Sequence, residues 1–117
     1  MLKFFKSVSY AFSGLKTMFL KERNFQLQII VFILVCIAGF HFRISNTEWC
    51  IVLLVSGLVL SLEAINSALE KMCDLVTTDI RPEIKIIKDL AAGAVTIACI
   101  FAVVIACIIF WPYFLAG

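Results

Sequence analysis

Between residues 90 and 111 the chain carries no charged side chain. A run of that length meets the ~20 residues that an α-helix needs to cross a hydrocarbon core of ~30 Å. Two more apolar runs, over residues 29–40 and 49–62, come earlier in a chain of only 117 residues. Hydrophobic residues make up 63% of the sequence and charged residues 15%, and the mean hydropathy is +1.09. A soluble domain this small leaves too much of its surface in water to hide so much apolar area. The simplest solvent for such a chain is lipid, and the expectation is one all-α integral membrane domain over residues 1–117. A net charge of +2 gives no basis for a nucleic-acid partner. The five cysteines, at 36, 50, 73, 99 and 107, are odd in number and match no metal spacing. They read as small residues in apolar surroundings, without a disulfide framework.

The runs organise the rest. Residues 1–21 alternate polar and apolar positions at helical spacing, with Leu2, Phe5, Phe12, Leu15 and Phe19 on one broad face and Lys3, Lys6, Ser13, Lys16 and Lys21 supplying polar positions. A basic amphipathic helix of this kind lies on a membrane surface with its lysines among anionic headgroups. It is not uniformly apolar and no small-residue cleavage pattern follows it, so a signal peptide is not expected. Flanking residues extend the first span to about 25–44. Ser45 followed by Glu48 reads as a capping box that starts the second span, about 47–76. Pro82 suits the first turn of the third span, about 82–111, and Pro112 is expected to stop it.

Nine of the ten lysines and arginines lie before the first span or between the second and third; Arg43 is the exception. The positive-inside rule therefore puts the amino terminus in the cytoplasm and the carboxyl terminus outside. Ala94, Ala98, Ala102 and Ala106 form one stripe of small residues, and Gly57, Ser61, Ala64 and Ala68 form another. Such stripes let helices approach closely in lipid and suit a packed bundle or an oligomer.

Seven of the eight acidic residues fall on the inner side or at its boundary. Glu63, Asn66, Glu70 and Asp74 follow one another at offsets of three, seven and eleven, on roughly one face of the second span. Glu63 lies ~24 Å along the helix from Thr47, still inside the hydrocarbon. A carboxylate at that depth is costly unless paired, protonated or set in a wet cleft, so it is a functional candidate; a protonated Glu bonded to a neighbouring helix is the structural alternative. Lys88 and Asp89 open the third span at the same boundary. Lys88 suits either snorkelling to headgroups or holding a polyphosphate. Glu22 precedes the first span on the same side. Carboxylates converging from separate helices fit Mg²⁺, which takes few protein ligands and fills its shell with phosphate and water. The five scattered glycines form no phosphate loop. His41 reads as a loop or interface residue, and no Ser/His/Asp partnership suggests a hydrolase.

The segment Glu63-Ala-Ile-Asn66-Ser-Ala-Leu-Glu70-Lys-Met-Cys-Asp74 resembles the E-x-x-N-[ST]-A-x-E-x-x-x-D signature of prokaryotic diacylglycerol kinases and undecaprenol kinases. Lys88-Asp89-Leu-Ala-Ala-Gly-Ala-Val resembles their second block, and Glu22-Arg-Asn-Phe25 the segment before their first span. The likeness covers nearly the whole chain. It implies a homotrimeric lipid kinase of the bacterial inner membrane that uses ATP and Mg²⁺ at sites built between subunits. It further implies Glu63 as general base, Glu22 and Glu70 as metal ligands, Asn66 positioning groups around the reacting phosphate, Lys88 on the phosphates and Asp89 on the nucleotide side. By a weaker alignment, Tyr10, Asp79 and Arg81 approach the nucleotide, while Lys3 and Ser13 lie near the lipid entry. Gln26-Leu27-Gln28 departs from the charged pattern of the diacylglycerol branch, and Asp74-Leu-Val with Lys88-Asp89-Leu-Ala-Ala-Gly leans toward the undecaprenol branch, which leaves the acceptor open between diacylglycerol and undecaprenol. The reading from another class is a non-catalytic membrane protein, such as a transporter subunit with Glu63 as a proton or cation site. It accounts for one buried carboxylate but not for Asn66, Glu70, Lys88 and Asp89 at family spacing.

Overall fold

A computed structural model describes all 117 residues as four α-helices: α1 Leu2–Lys21, α2 Arg23–Phe42, α3 Asn46–Val76 and α4 Pro82–Ala116. There are no strands. Helices α2, α3 and α4 are each long and apolar enough to cross a membrane. Short connections make α2, α3 and α4 run alternately up and down, with α3 packed chiefly on α4 and, less extensively, on α2. One end of the bundle therefore gathers the start of α2, the end of α3 and the start of α4.

Only 15 of the 117 residues are buried, and Phe40, Leu54, Leu90, Val103 and Ile108 are among the many apolar side chains left open. The chain does not bury its own apolar surface, which is the behaviour expected of a protein solvated by lipid. Helix α1 follows the same rule. Its one buried residue is Met18, and Leu2, Phe5, Phe12, Leu15 and Phe19 are all exposed. It is joined to α2 through Glu22, whose backbone is extended, and through the Phe19 ring, which meets Phe25 edge-on at 5.2 Å. The Gln26 side chain donates to the Phe19 carbonyl at 2.9 Å and closes the same joint.

The opposite end holds the best-packed apolar cluster: Ile44, Val52, Ile109 and Phe110, with Phe42, Trp49 and Tyr113 against it. The capping box is present in both halves: Glu48 N–H donates to Ser45 Oγ (3.2 Å) and Ser45 N–H donates to Glu48 Oε1 (2.9 Å). Pro82 occupies the first turn of α4. Pro112 does not stop α4, which runs on to Ala116. The residue after it explains why: Tyr113 donates its hydroxyl to Glu48 and its ring lies 6.0 Å from Phe42. Those contacts hold the last turn against the start of α3, and the missing Pro112 N–H costs one bond rather than the helix.

The α2–α3 turn depends on a close approach. Arg43 takes the left-handed conformation (φ 53°) and the Ile44 N–H reaches back to the Gly39 carbonyl at 3.2 Å. This brings the Trp49 ring over Gly39, where an added Cβ would stand 2.7 Å from ring carbon Cη2 and 3.1 Å from Ile44 Cδ1. No such neighbour lies within 4 Å of the corresponding position at Gly14. Gly39→Ala is expected to cost about 1–3 kcal/mol by overpacking, read as earlier unfolding in a detergent denaturation series. Gly14→Ala, which relieves a helical glycine, is expected to leave that midpoint unchanged or raise it.

Candidate functional site

Aromatic residues Trp49, Trp111 and Tyr113 cluster at the capping-box end, the amphipathic rings that mark a membrane interface. Counting at 1.5 Å per residue from Trp49 along α3 puts Glu63 at ~21 Å, Glu70 at ~32 Å and Asp74 at ~38 Å. The same count from Trp111 along α4 puts Asp89 at ~33 Å and Lys88 at ~35 Å. Against a core of ~30 Å, Glu63 is inside the hydrocarbon, while Glu70, Asp89, Lys88 and Asp74 stand at or just past its edge. Helical pitch alone thus spreads the polar face of α3 across a membrane boundary.

Glu63 is 5% exposed and Asn66 6%. Glu63 accepts from the Gln28 side chain of α2 at 3.5 Å, and the same amide lies 3.5 Å from Cys99 Sγ of α4. Three helices therefore meet around the carboxylate. It borders an open groove of about 500 Å³ whose other wall is α4, with Val95, Thr96, Cys99 and Ile100. One turn along α3, Asn66 Nδ2 donates to Glu70 Oε1 at 3.3 Å, and its Oδ1 is buried without a partner. A buried oxygen in that condition costs free energy unless a donor or cation reaches it. Ser67, beside Asn66, is also buried.

Three ion pairs hold charged residues at the boundary. Lys88 Nζ holds Asp74 at 2.8 Å, and Lys85 holds Asp89 at 2.6 Å one turn along α4. Glu22, at the α1–α2 joint, is held by Lys71 of α3. Tyr10 is exposed on α1, and Asp79 and Arg81 are exposed in the α3–α4 connection. The Asp79 N–H donates to Thr77 Oγ1, and Arg81 takes part in no ion pair. None of these three meets Glu63 within one chain. His41 is exposed in the last turn of α2, its ring 4.9 Å from that of Phe42.

The donors fit magnesium in kind. Glu22, Glu70 and the unpartnered Asn66 Oδ1 are hard oxygen atoms, the chemistry Mg²⁺ selects. No three acidic, histidine or cysteine side chains converge into a preformed cage. That agrees with a cation taking one or two carboxylates and completing its shell with phosphate and water.

Two contacts were not foreseen from the sequence. In the sequence Gln28 stands out only as a departure from a family pattern, and Lys71 by nothing. The signal for Gln28 was an amide inside the first apolar helix, where it needs a polar partner as much as Glu63 does. Lys71 had no such signal, because its partner lies 49 residues away in sequence.

Residues 9–110 match the sequence profile described as prokaryotic diacylglycerol kinase. The chain is 39% identical to an undecaprenol kinase of Bacillus subtilis over 110 residues, covering 94% of this chain and 89% of that protein. It is 36% identical to a diacylglycerol kinase of Synechocystis, covering 85% of this chain and 57% of the other. A diacylglycerol kinase of Helicobacter pylori is 34% identical, with coverages of 85% and 77%.

The Gln28–Glu63 contact has a measurable worth. Gln28→Leu strips the carboxylate of its protein donor and is expected to cost about 1–3 kcal/mol in unfolding free energy. Adding Glu63→Leu should recover part of that loss, since both polar groups are then gone. Strictly additive losses in this double-mutant cycle would show that the two side chains do not interact.

Proposed function

Since this chain belongs to the prokaryotic diacylglycerol kinase family, we propose that it moves the γ-phosphoryl group of ATP directly to the hydroxyl of a membrane lipid alcohol. The reading places this reaction at the cytoplasmic boundary of a bacterial inner membrane, with the amino terminus inside, the carboxyl terminus outside and the whole chain acting as one domain. The observation that carries it is the position of Glu63: a buried carboxylate inside the apolar bundle, one turn from Asn66 and two from Glu70 at the membrane edge. A lipid hydroxyl cannot leave the interface, so the base that takes its proton must be reached from lipid. A soluble polyphosphate cannot enter, so the groups that hold it must stand at the boundary. The polar face of α3 spans that interval.

In this reading Glu63 accepts the hydroxyl proton as the lipid oxygen attacks the γ-phosphorus, and ADP leaves with the bridging oxygen. Gln28 holds the carboxylate in place from α2. Asn66, with its Nδ2 on Glu70, orients groups around the reacting phosphate. Lys88, now on Asp74, exchanges that partner for phosphate oxygens, and Asp89 lies on the nucleotide side. Glu22 and Glu70 would hold Mg²⁺, which neutralises phosphate charge when bound. Tyr10, Asp79 and Arg81 are assigned to the nucleotide through a second subunit, with Lys3 and Ser13 near the lipid entry. A homotrimer is supported by their separation from Glu63 within one chain and by the uncovered stripe Gly57, Ser61 and Ala68. Identity of 39% to an undecaprenol kinase against 36% and 34% to diacylglycerol kinases, together with Asp74-Leu-Val, favours undecaprenol as acceptor. Diacylglycerol is the second candidate.

Glu63→Gln keeps the shape and a hydrogen-bonding oxygen but cannot take a proton. Lipid phosphorylation should fall by a factor of at least about 100, while ATP affinity, measured by equilibrium binding, stays near that of the unsubstituted chain. Retained transfer would remove Glu63 from the role of base.

A further inference from the structure

Lys71 lies inside the signature segment but no part of the reaction above uses it. Its ammonium pairs with Glu22 across the α1–α2 joint, and its side chain is 61% exposed where that of Glu22 is 17% exposed. Of the three ion pairs in the chain, this one alone ties the α1–α2 joint to α3. Lys71 thus occupies the place of a cation on Glu22, one of the two groups assigned to the metal.

We propose that Lys71 is a built-in counter-ion that holds Glu22 in the metal-free chain and competes with the divalent cation for it. The proposal rests on the reading of Glu22 and Glu70 as metal ligands. A largely covered carboxylate kept free for a metal is stabilised in the metal-free chain by a positive charge beside it. The ammonium supplies that charge and keeps the joint docked on α3 until the metal arrives. One carboxylate oxygen cannot serve ammonium and metal at once, so the lysine must leave. Its exposed, flexible stem makes that easy, and an exposed ion pair is weak. The competition is therefore worth a few-fold in metal affinity, enough to hold the site ready without blocking it. Lys71 is a positioning residue in this scheme, since it acts on the metal through Glu22.

The test titrates the full chain in detergent micelles with Mn²⁺ alone, without nucleotide or lipid, and follows free Mn²⁺ by electron paramagnetic resonance. Lys71→Gln should bind Mn²⁺ about threefold more tightly than the unsubstituted chain. Lys71→Arg, which keeps the charge, should bind it no more tightly than the unsubstituted chain. A merely structural lysine would give the opposite sign, because loosening the joint weakens binding. The side chain is exposed, so neither change removes a core contact; Lys71→Met serves as a second neutral variant. Glu22→Gln separates the two layers of the argument. If it binds Mn²⁺ unchanged, Glu22 is not a ligand and the proposal falls with that assignment. If it loses Mn²⁺ while Lys71→Gln and Lys71→Met bind no more tightly than the unsubstituted chain, the competition by Lys71 is overturned and the metal site stands.

Discussion

A carboxylate enclosed by an apolar bundle is the constraint on which the rest of this molecule turns. Glu63 sits about 21 Å along α3 from the aromatic end, inside a core of about 30 Å, and an isolated charge there would be prohibitive. The chain answers with one amide from α2 and a groove along α4. That answer requires all three long helices to hold their register, since a slip of one turn would withdraw Gln28 from Glu63. The packing at the far end maintains it. The Gly39–Trp49 contact sets α2 against α3, and the Tyr113–Glu48 bond sets α4 against α3. The best-packed apolar cluster thus lies at one end of the bundle, and the polar groups of the candidate site toward the other.

The reaction class comes with the family, and the change of polarity along α3 suits it. A protein that joins a lipid hydroxyl to a soluble nucleotide must present a proton acceptor below the membrane surface and charge-bearing groups at it. In the proposed reading Glu63, Asn66 and Glu70 would meet that need on successive turns of a single helix. A helix fixes such spacing better than a loop does, and phosphoryl transfer depends more on positioning and charge neutralisation than on covalent help. Three ion pairs complete the picture at this end: Glu22 rests on Lys71, Asp74 on Lys88 and Asp89 on Lys85.

Much of this could be read before the structure was known. Hydropathy marked the three long helices, Ser45 and Glu48 announced the capping box, and Pro82 the start of α4. Glu63 and Asn66 stood out because polar groups in an apolar helix have few explanations. The rest depended on tertiary register, which periodicity does not carry. Gln28 meets Glu63 only once α2 and α3 are docked, and Lys71 meets Glu22 only across 49 residues. The helix through Pro112 was missed for the same reason: local propensity argued for a stop, and the contacts of Tyr113 with Phe42 and Glu48 overrode it. Sites that assemble from one helix were legible; contacts between helices were not.

The central claim is transfer of phosphate from ATP to a lipid hydroxyl, and product analysis addresses it directly. The purified chain would be given Mg²⁺ and ATP labelled at the γ-phosphate in mixed micelles containing either undecaprenol or diacylglycerol. The account predicts label in the lipid phosphate, one ADP formed for each lipid phosphorylated, and no ADP without a lipid alcohol, with undecaprenol the better acceptor. ADP released at the same rate with and without lipid, or no labelled lipid from either alcohol, would contradict it.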